Sequence, residues 1–167
     1  MARIVLALAI WLVAAGTALA DVAPFDEAAA EAAEDRIEAQ EKQDRQACDK
    51  LKGNARDVCQ ASAKGRAKVA KAKLEARLQP GLEAEQEVKN VKAEADYAVA
   101  KKRCAAAKGQ AKDACLQQAG NAREAAIRQA KVEKVESMRA AEVRAQAQRK
   151  AARAASAAAR PQHADAR

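Results

Sequence analysis

The side chains of this chain with the widest chemical range are its four cysteines, which fall in two cassettes of identical spacing. The first reads Cys-Asp-Lys-Leu-Lys-Gly-Asn-Ala-Arg-Asp-Val-Cys over residues 48–59, and the second Cys-Ala-Ala-Ala-Lys-Gly-Gln-Ala-Lys-Asp-Ala-Cys over residues 104–115. The copies stand 56 residues apart and agree at Cys, Lys, Gly, Ala, Asp and Cys, with Arg56 and Lys112 a like-charged pair, so the chain carries an internal duplication. Such thiols bind a metal, catalyse exchange, or lock the chain. Structural zinc sites use closely spaced cysteine pairs joined by histidines, whereas ten residues separate each pair here and the one histidine, His163, lies near the C-terminus. Free-thiol catalysis needs an unpaired cysteine beside a base, and no base is in place. The expectation is therefore four structural cysteines, Cys48, Cys59, Cys104 and Cys115, with no metal and no cofactor.

Little else could do chemistry. Asp57 and Asp113 read as helix-capping carboxylates rather than an acid–base pair. There is no glycine-rich phosphate loop and no Ser/His/Asp set, so the sequence predicts a protein that is not an enzyme.

The cassettes make demands on the elements that carry them. In one unbroken helix, residues 11 apart share a face but stand roughly 16 Å apart along the axis, beyond the reach of a disulfide. If Cys48 pairs with Cys59, the chain must turn between them, and Gly53 sits at the midpoint. Gly53 suits a left-handed residue past a helix end, Asn54 the cap of the next helix, and Asp57 a capping-box-like partner. Gly109 and Asp113 repeat the arrangement, with Gln110, a poor cap, in place of Asn54. A rival connectivity folds at Pro80-Gly81 and joins Cys59 to Cys104 and Cys48 to Cys115. It resembles the twin C-x9-C helical hairpins with one residue more in each spacing. The rival leaves Gly53 and Gly109 inside helices at about 1 kcal/mol each, and the recurring glycine favours the local pairs.

Around these turns the chain is rich in Ala, Lys, Arg, Glu and Gln, all strong helix formers. Helix is predicted from Asp26 to Leu51, over residues 55–79, over residues 82–108, and from Ala111 to about Ala159, with a kink or fraying at Gly120-Asn121 and a stop at Pro161. The first three segments have nearly equal lengths, which favours antiparallel hairpins. Residues 21–160 read as one helical domain of two copies, about 35–79 and 91–135, with 161–167 a flexible tail. The fold class is all-α: long Ala-rich helices in disulfide-clamped antiparallel hairpins, either elongated or a loose four-helix up-and-down bundle.

Met1-Ala2-Arg3, the apolar run over residues 4–15, Gly16 and Ala18-Leu19-Ala20 read as a secretory signal peptide cleaved after Ala20. The run is short of the roughly 20 residues that a membrane span needs, so no span is expected after cleavage. An even number of cysteines in an exported protein agrees with disulfides, because the periplasm and the exterior are oxidising. From residue 21 onward 43 residues are Ala, while Leu, Ile, Val and Phe together number 17. That content builds only a thin core, and small scaffolds of that kind need covalent staples.

The first cassette, the Ala/Lys-rich stretch over residues 61–76, and the phrase Lys-Ala-Glu-Ala-Asp-Tyr-Ala-Val-Ala-Lys over residues 92–101 carry a resemblance. Together they are similar to a group of secreted Ala/Lys-rich helical proteins of proteobacteria with paired cassettes, often labelled TolA-like after an envelope-spanning protein. The resemblance covers about residues 35–125. It implies export and helix, and no activity comes with it. The second cassette departs from the first at Ala107, in place of Leu51, and at Gln110.

Charge is the remaining signal. The whole chain carries +8, and its ends differ: residues 21–47 hold nine carboxylates against three bases, and residues 139–167 hold seven bases against Glu142 and Asp165. Such asymmetry acts within the molecule, acidic helix on basic, or recruits an anionic partner. On a helical projection Arg149, Lys150, Arg153 and Arg160 share an arc of roughly 100°, opposite a face of Ala, which suits adhesion to anionic surfaces and not membrane penetration. Nucleic acid is not expected, since the exported chain has one Tyr and one Phe for stacking. These residues predict a periplasmic or secreted, non-enzymatic structural or interaction protein of the cell envelope. Its partner, unnamed by the sequence, would be an anionic envelope component or another envelope protein. The alternative is a periplasmic stress or chaperone-like binding protein, which requires an apolar groove.

Overall fold

Alanine dominates both the sequence and the interior, and the second fact explains the architecture. The structure, a computed structural model, describes residues 27–158. The expected signal segment, Arg160 and the predicted tail lie outside the described residues. Four helices follow in order: α1 Glu27–Cys48, α2 Gly53–Leu78, α3 Leu82–Cys104 and α4 Gly109–Ala158. The predicted breaks stand, but boundaries move: α2 and α4 begin two residues early, at Gly53 and Gly109. Helices α1 and α3 end at Cys48 and Cys104, earlier than expected, because the chain after each cysteine tightens into i→i+3 turns: Leu51 N–H donates to the Cys48 carbonyl at 3.0 Å and Ala107 N–H to the Cys104 carbonyl at 3.1 Å. Nor does Gly120-Asn121 interrupt α4, which runs unbroken for 50 residues, roughly 75 Å.

The helices run up and down, and each packs only on its sequence neighbours: α1 on α2, α2 on α3, and α3 on α4. Of the two expected forms this is the open, elongated one. The four helices lie side by side in a layer rather than closing around a shared centre, so α2 and α3 are covered on two sides and α1 and α4 on one.

The buried hydrophobic side chains are Cys48, Ala63, Ala67, Ala93, Ala95, Cys104 and Ala130, none larger than cysteine. Small residues let helix backbones approach closely, and α2 and α3 show it best. A Cβ placed on Gly65 would stand 3.1 Å from the Cβ of Ala95. Each buried methyl contributes only about 0.8 kcal/mol, so the fold leans on helix propensity, on its disulfides and on ion pairs at the helix edges. The latter join acidic α1 to basic α2: Arg66 bonds Asp44 through two nitrogens at 2.8 and 3.2 Å, and Lys71 reaches Glu34 at 2.9 Å and Glu38 at 2.7 Å. Between α3 and α4 stand Lys89 with Glu133, Lys134 with Glu83 at 2.9 Å, and Arg123 with Glu94 at 3.5 Å.

Candidate functional site

Both disulfides are local. Cys48 is bonded to Cys59 and Cys104 to Cys115, each with Cα atoms 5.6 Å apart, so the rival two-rung hairpin around Pro80-Gly81 is not formed. In each clamp the last residue of one helix is tied to the second turn of the next. Cys48 and Cys104 are buried, and no cysteine among the described residues is free.

The turns between them are made by glycine. Gly53 and Gly109 hold positive φ of 56° and 52°, with no other residue among those described in that region. A Cβ is disfavoured there on backbone grounds alone, since neither position meets anything within 4 Å. The capping expected of Asn54 and Asp57 is not made. Lys52, extended at φ −128° and ψ 158°, occupies the N-cap of α2 without a side-chain cap bond. The cause is geometric: the left-handed Gly53 already opens the helix, which places Asn54 inside the first turn rather than before it.

What braces the first turn instead is an ion pair that spacing did not suggest. Arg56 donates to the Asp49 carboxylate across the turn at 2.8 Å. In the second copy Ala105 stands where Asp49 does, opposite Lys112, so this brace is confined to the first. Asp113 is exposed in the first turns of α4.

The predicted anion-binding residues belong to the far half of α4. Helix α3 starts at Leu82, and the Lys134–Glu83 pair marks where α4 passes its end. Residues 135–158, roughly 36 Å of helix, extend past α3 and are exposed at every position except the half-buried Ala145. Arg149, Lys150 and Arg153 lie here with Arg139 and Arg144, and none of these five forms an ion pair among the described residues. The structure does not place Arg160. Val135, Met138 and Val143 are also exposed on this segment, at 46%, 45% and 65%, so the projecting helix is not a face of Ala alone.

Sequence reasoning passed over one further cluster. Tyr97 on α3 has two cations over its ring, the Lys101 ammonium 4.6 Å and the Arg123 guanidinium 4.8 Å from the centroid. Such contacts hold cations over an aromatic face, and Arg123 thereby ties α4 to α3. Its spacing, Tyr97 to Lys101, was visible as an i,i+4 pair, but the arginine is distant in sequence.

No cluster of three or more His, Cys, Asp or Glu among the described residues could hold a metal ion, and no helix among them is long and apolar enough to cross a membrane. Two disulfides, with no membrane-spanning helix among the described residues, are compatible with an oxidising compartment outside the cytoplasm. Comparison with protein-family models, with curated proteins and with solved structures finds no match to this chain.

Proposed function

We propose that this chain is an exported, non-enzymatic interaction protein of the cell envelope that binds anionic envelope polymers through the projecting half of α4. The observation that carries the reading is the division of charge in the fold. Two basic residues of α2 are matched by carboxylates of α1, Arg66 by Asp44 and Lys71 by Glu34 and Glu38. Arg139, Arg144, Arg149, Lys150 and Arg153 have only Glu136 and Glu142 beside them on the same helix. A cationic rod that stands clear of the rest of the chain presents its field to a polyanion with little self-neutralisation.

The test is retention of the oxidised protein on isolated cell-envelope fractions. Binding should fall with added salt, as expected for exposed charges, and should fall further when Arg149, Lys150 and Arg153 are changed together to Glu. Equal retention of that variant would reject the proposal.

A chaperone-like role is the second reading, favoured by one observation: the exposed Val132, Val135, Met138 and Val143 along α4. Suppression of the aggregation of a model client, abolished by changing those four residues to Gln, would favour it over polymer binding.

A further inference from the structure

A single layer of helices leaves each groove between neighbours with a floor and no lid, whereas domains ordinarily bury such floors beneath a second layer. The groove between α1 and α2 has a volume of about 400 Å³. Its floor is apolar, formed by Ala33, Ile37, Ala63, Ala67, Ala70 and Leu74. Over residues 63–77 of α2 it runs for roughly 21 Å, of which roughly 15 Å lies between Ala63 and Lys73, room for most of an extended long-chain acyl group.

Its charges are not spread evenly. Asp44 against Arg66, and Glu34 and Glu38 against Lys71, set α1 antiparallel to α2. That register brings Arg36 opposite Lys73, with Arg77 one turn beyond, all in the half of the groove away from the Cys48–Cys59 clamp. Arg36 and Lys73 form no ion pair among the described residues. Toward the clamp the walls carry Gln40 and Glu41, and the Arg66 charge is taken by Asp44. The groove is thus apolar along its length, cationic at one end and acidic or neutral at the other.

We propose that this groove binds a single-chain anionic amphiphile, a long-chain carboxylate, with its acyl chain along Ile37, Ala67 and Ala70 and its carboxylate at Arg36 and Lys73. The basic half of α4 from a second copy is repelled by the same cations. A docked helix is about 10–12 Å across, and Arg66 and Lys73, which also line the neighbouring groove between α2 and α3, bound this groove on that side.

The experiment titrates the full-length oxidised protein into dansyl-undecanoate and follows the dansyl emission. Saturable enhancement is expected at one probe per chain, displaced by palmitate and not by hexadecanol. Changing Arg36 and Lys73 together to Gln should weaken binding by about tenfold or more, the scale of a lost charged hydrogen bond, and the Glu pair should abolish it, with helicity by circular dichroism unchanged. The Arg149, Lys150 and Arg153 variant should bind the probe as the parent does, so this result stands apart from polymer binding by α4. Equal displacement by hexadecanol, unaltered affinity in the Gln and Glu pairs, or displacement by an acidic amphipathic peptide but not by palmitate would each overturn the proposal.

Discussion

Gly65 and Ala95 set how closely the two central helices approach, for a Cβ on Gly65 would lie 3.1 Å from the Cβ of Ala95 and 3.7 Å from its Cα. Neither neighbour is the flexible end of a long side chain, so anything larger than hydrogen at position 65 must move α3 as a body. Two effects oppose each other on Gly65→Ala. Helix propensity contributes up to about 1 kcal/mol, and the displaced helix offsets it, so a small net change is expected. Gly65→Leu has no such balance. It should lower the unfolding free energy by about 1–3 kcal/mol, read by urea denaturation, and the midpoint of Gly65→Ala should lie nearer the parent than that of Gly65→Leu.

The clamps should be independent of each other, since each closes its own turn. Replacing Cys48 and Cys59 together by Ser, or Cys104 and Cys115 together by Ser, should each cost about 3 kcal/mol for a loop of this length. With so little bulk in the interior, loss of both should leave no cooperative transition at 37 °C. Thermal melts of the three variants check this. Peptide mapping without reductant should recover only the local pairs, and a peptide joining Cys59 to Cys104 would contradict the structure.

Three glycines separate backbone need from mere presence. Gly53 and Gly109 carry positive φ, and Ala at either should destabilise by about 1 kcal/mol or more through backbone strain. Gly120 sits inside α4 with open space around its missing Cβ, so Gly120→Ala should raise stability by about 0.8–1 kcal/mol. Opposite signs in one set of denaturation curves are the expected outcome.

Acid should loosen the layer before alkali does. The hydrogen bond from Arg66, aided by that from Gln40, holds Asp44 below its ordinary 3.8, and Lys134 does the same for Glu83 and Lys89 for Glu133 relative to 4.5. A carboxyl with a lowered folded pKa contributes stability above its ordinary value and loses it as pH falls through the folded one. Lys71 is shifted upward from 10.5, first by the hydrogen bond to Glu38 and then by that to Glu34, so its contribution is complete below 10.5 and disappears only above that. The melting temperature should therefore hold from pH 5 to 9 and fall by a few degrees below about pH 4, less in Asp44→Asn than in the parent. All four groups are at the surface, so added salt should shrink the effect.

Removal of residues 135–158 should leave the melting temperature nearly unchanged, because that half of α4 packs on no other helix. The same residues should exchange their amide hydrogens fastest within α4.

Much of this was legible from the chain. Gly53 and Gly109 at the midpoints of the cysteine pairs pointed to two turns, and Pro80-Gly81 to the third. Asn54 misled, because the cap motif presumes that helix entry is decided by a side chain, whereas a left-handed glycine had already decided it. Asp49 with Arg56 was missed because a seven-residue separation has no fixed meaning until the turn between them is known. The α1–α2 groove escaped for a related reason, since Arg36 and Lys73 are neighbours only through the antiparallel register.

The sequence by itself determined the helices, their breaks and the need for covalent clamps. Those follow from local causes: propensity, glycine, proline and the reach of a disulfide. Which faces meet was decided only in three dimensions, because Ala occupies every side of these helices and no stripe of bulky residues marks an interior. Contact at Gly65 and Ala95, the pairing of charges between helices, and the freedom of the last half of α4 arise from close approach of small residues, a property of pairs of helices rather than of any one.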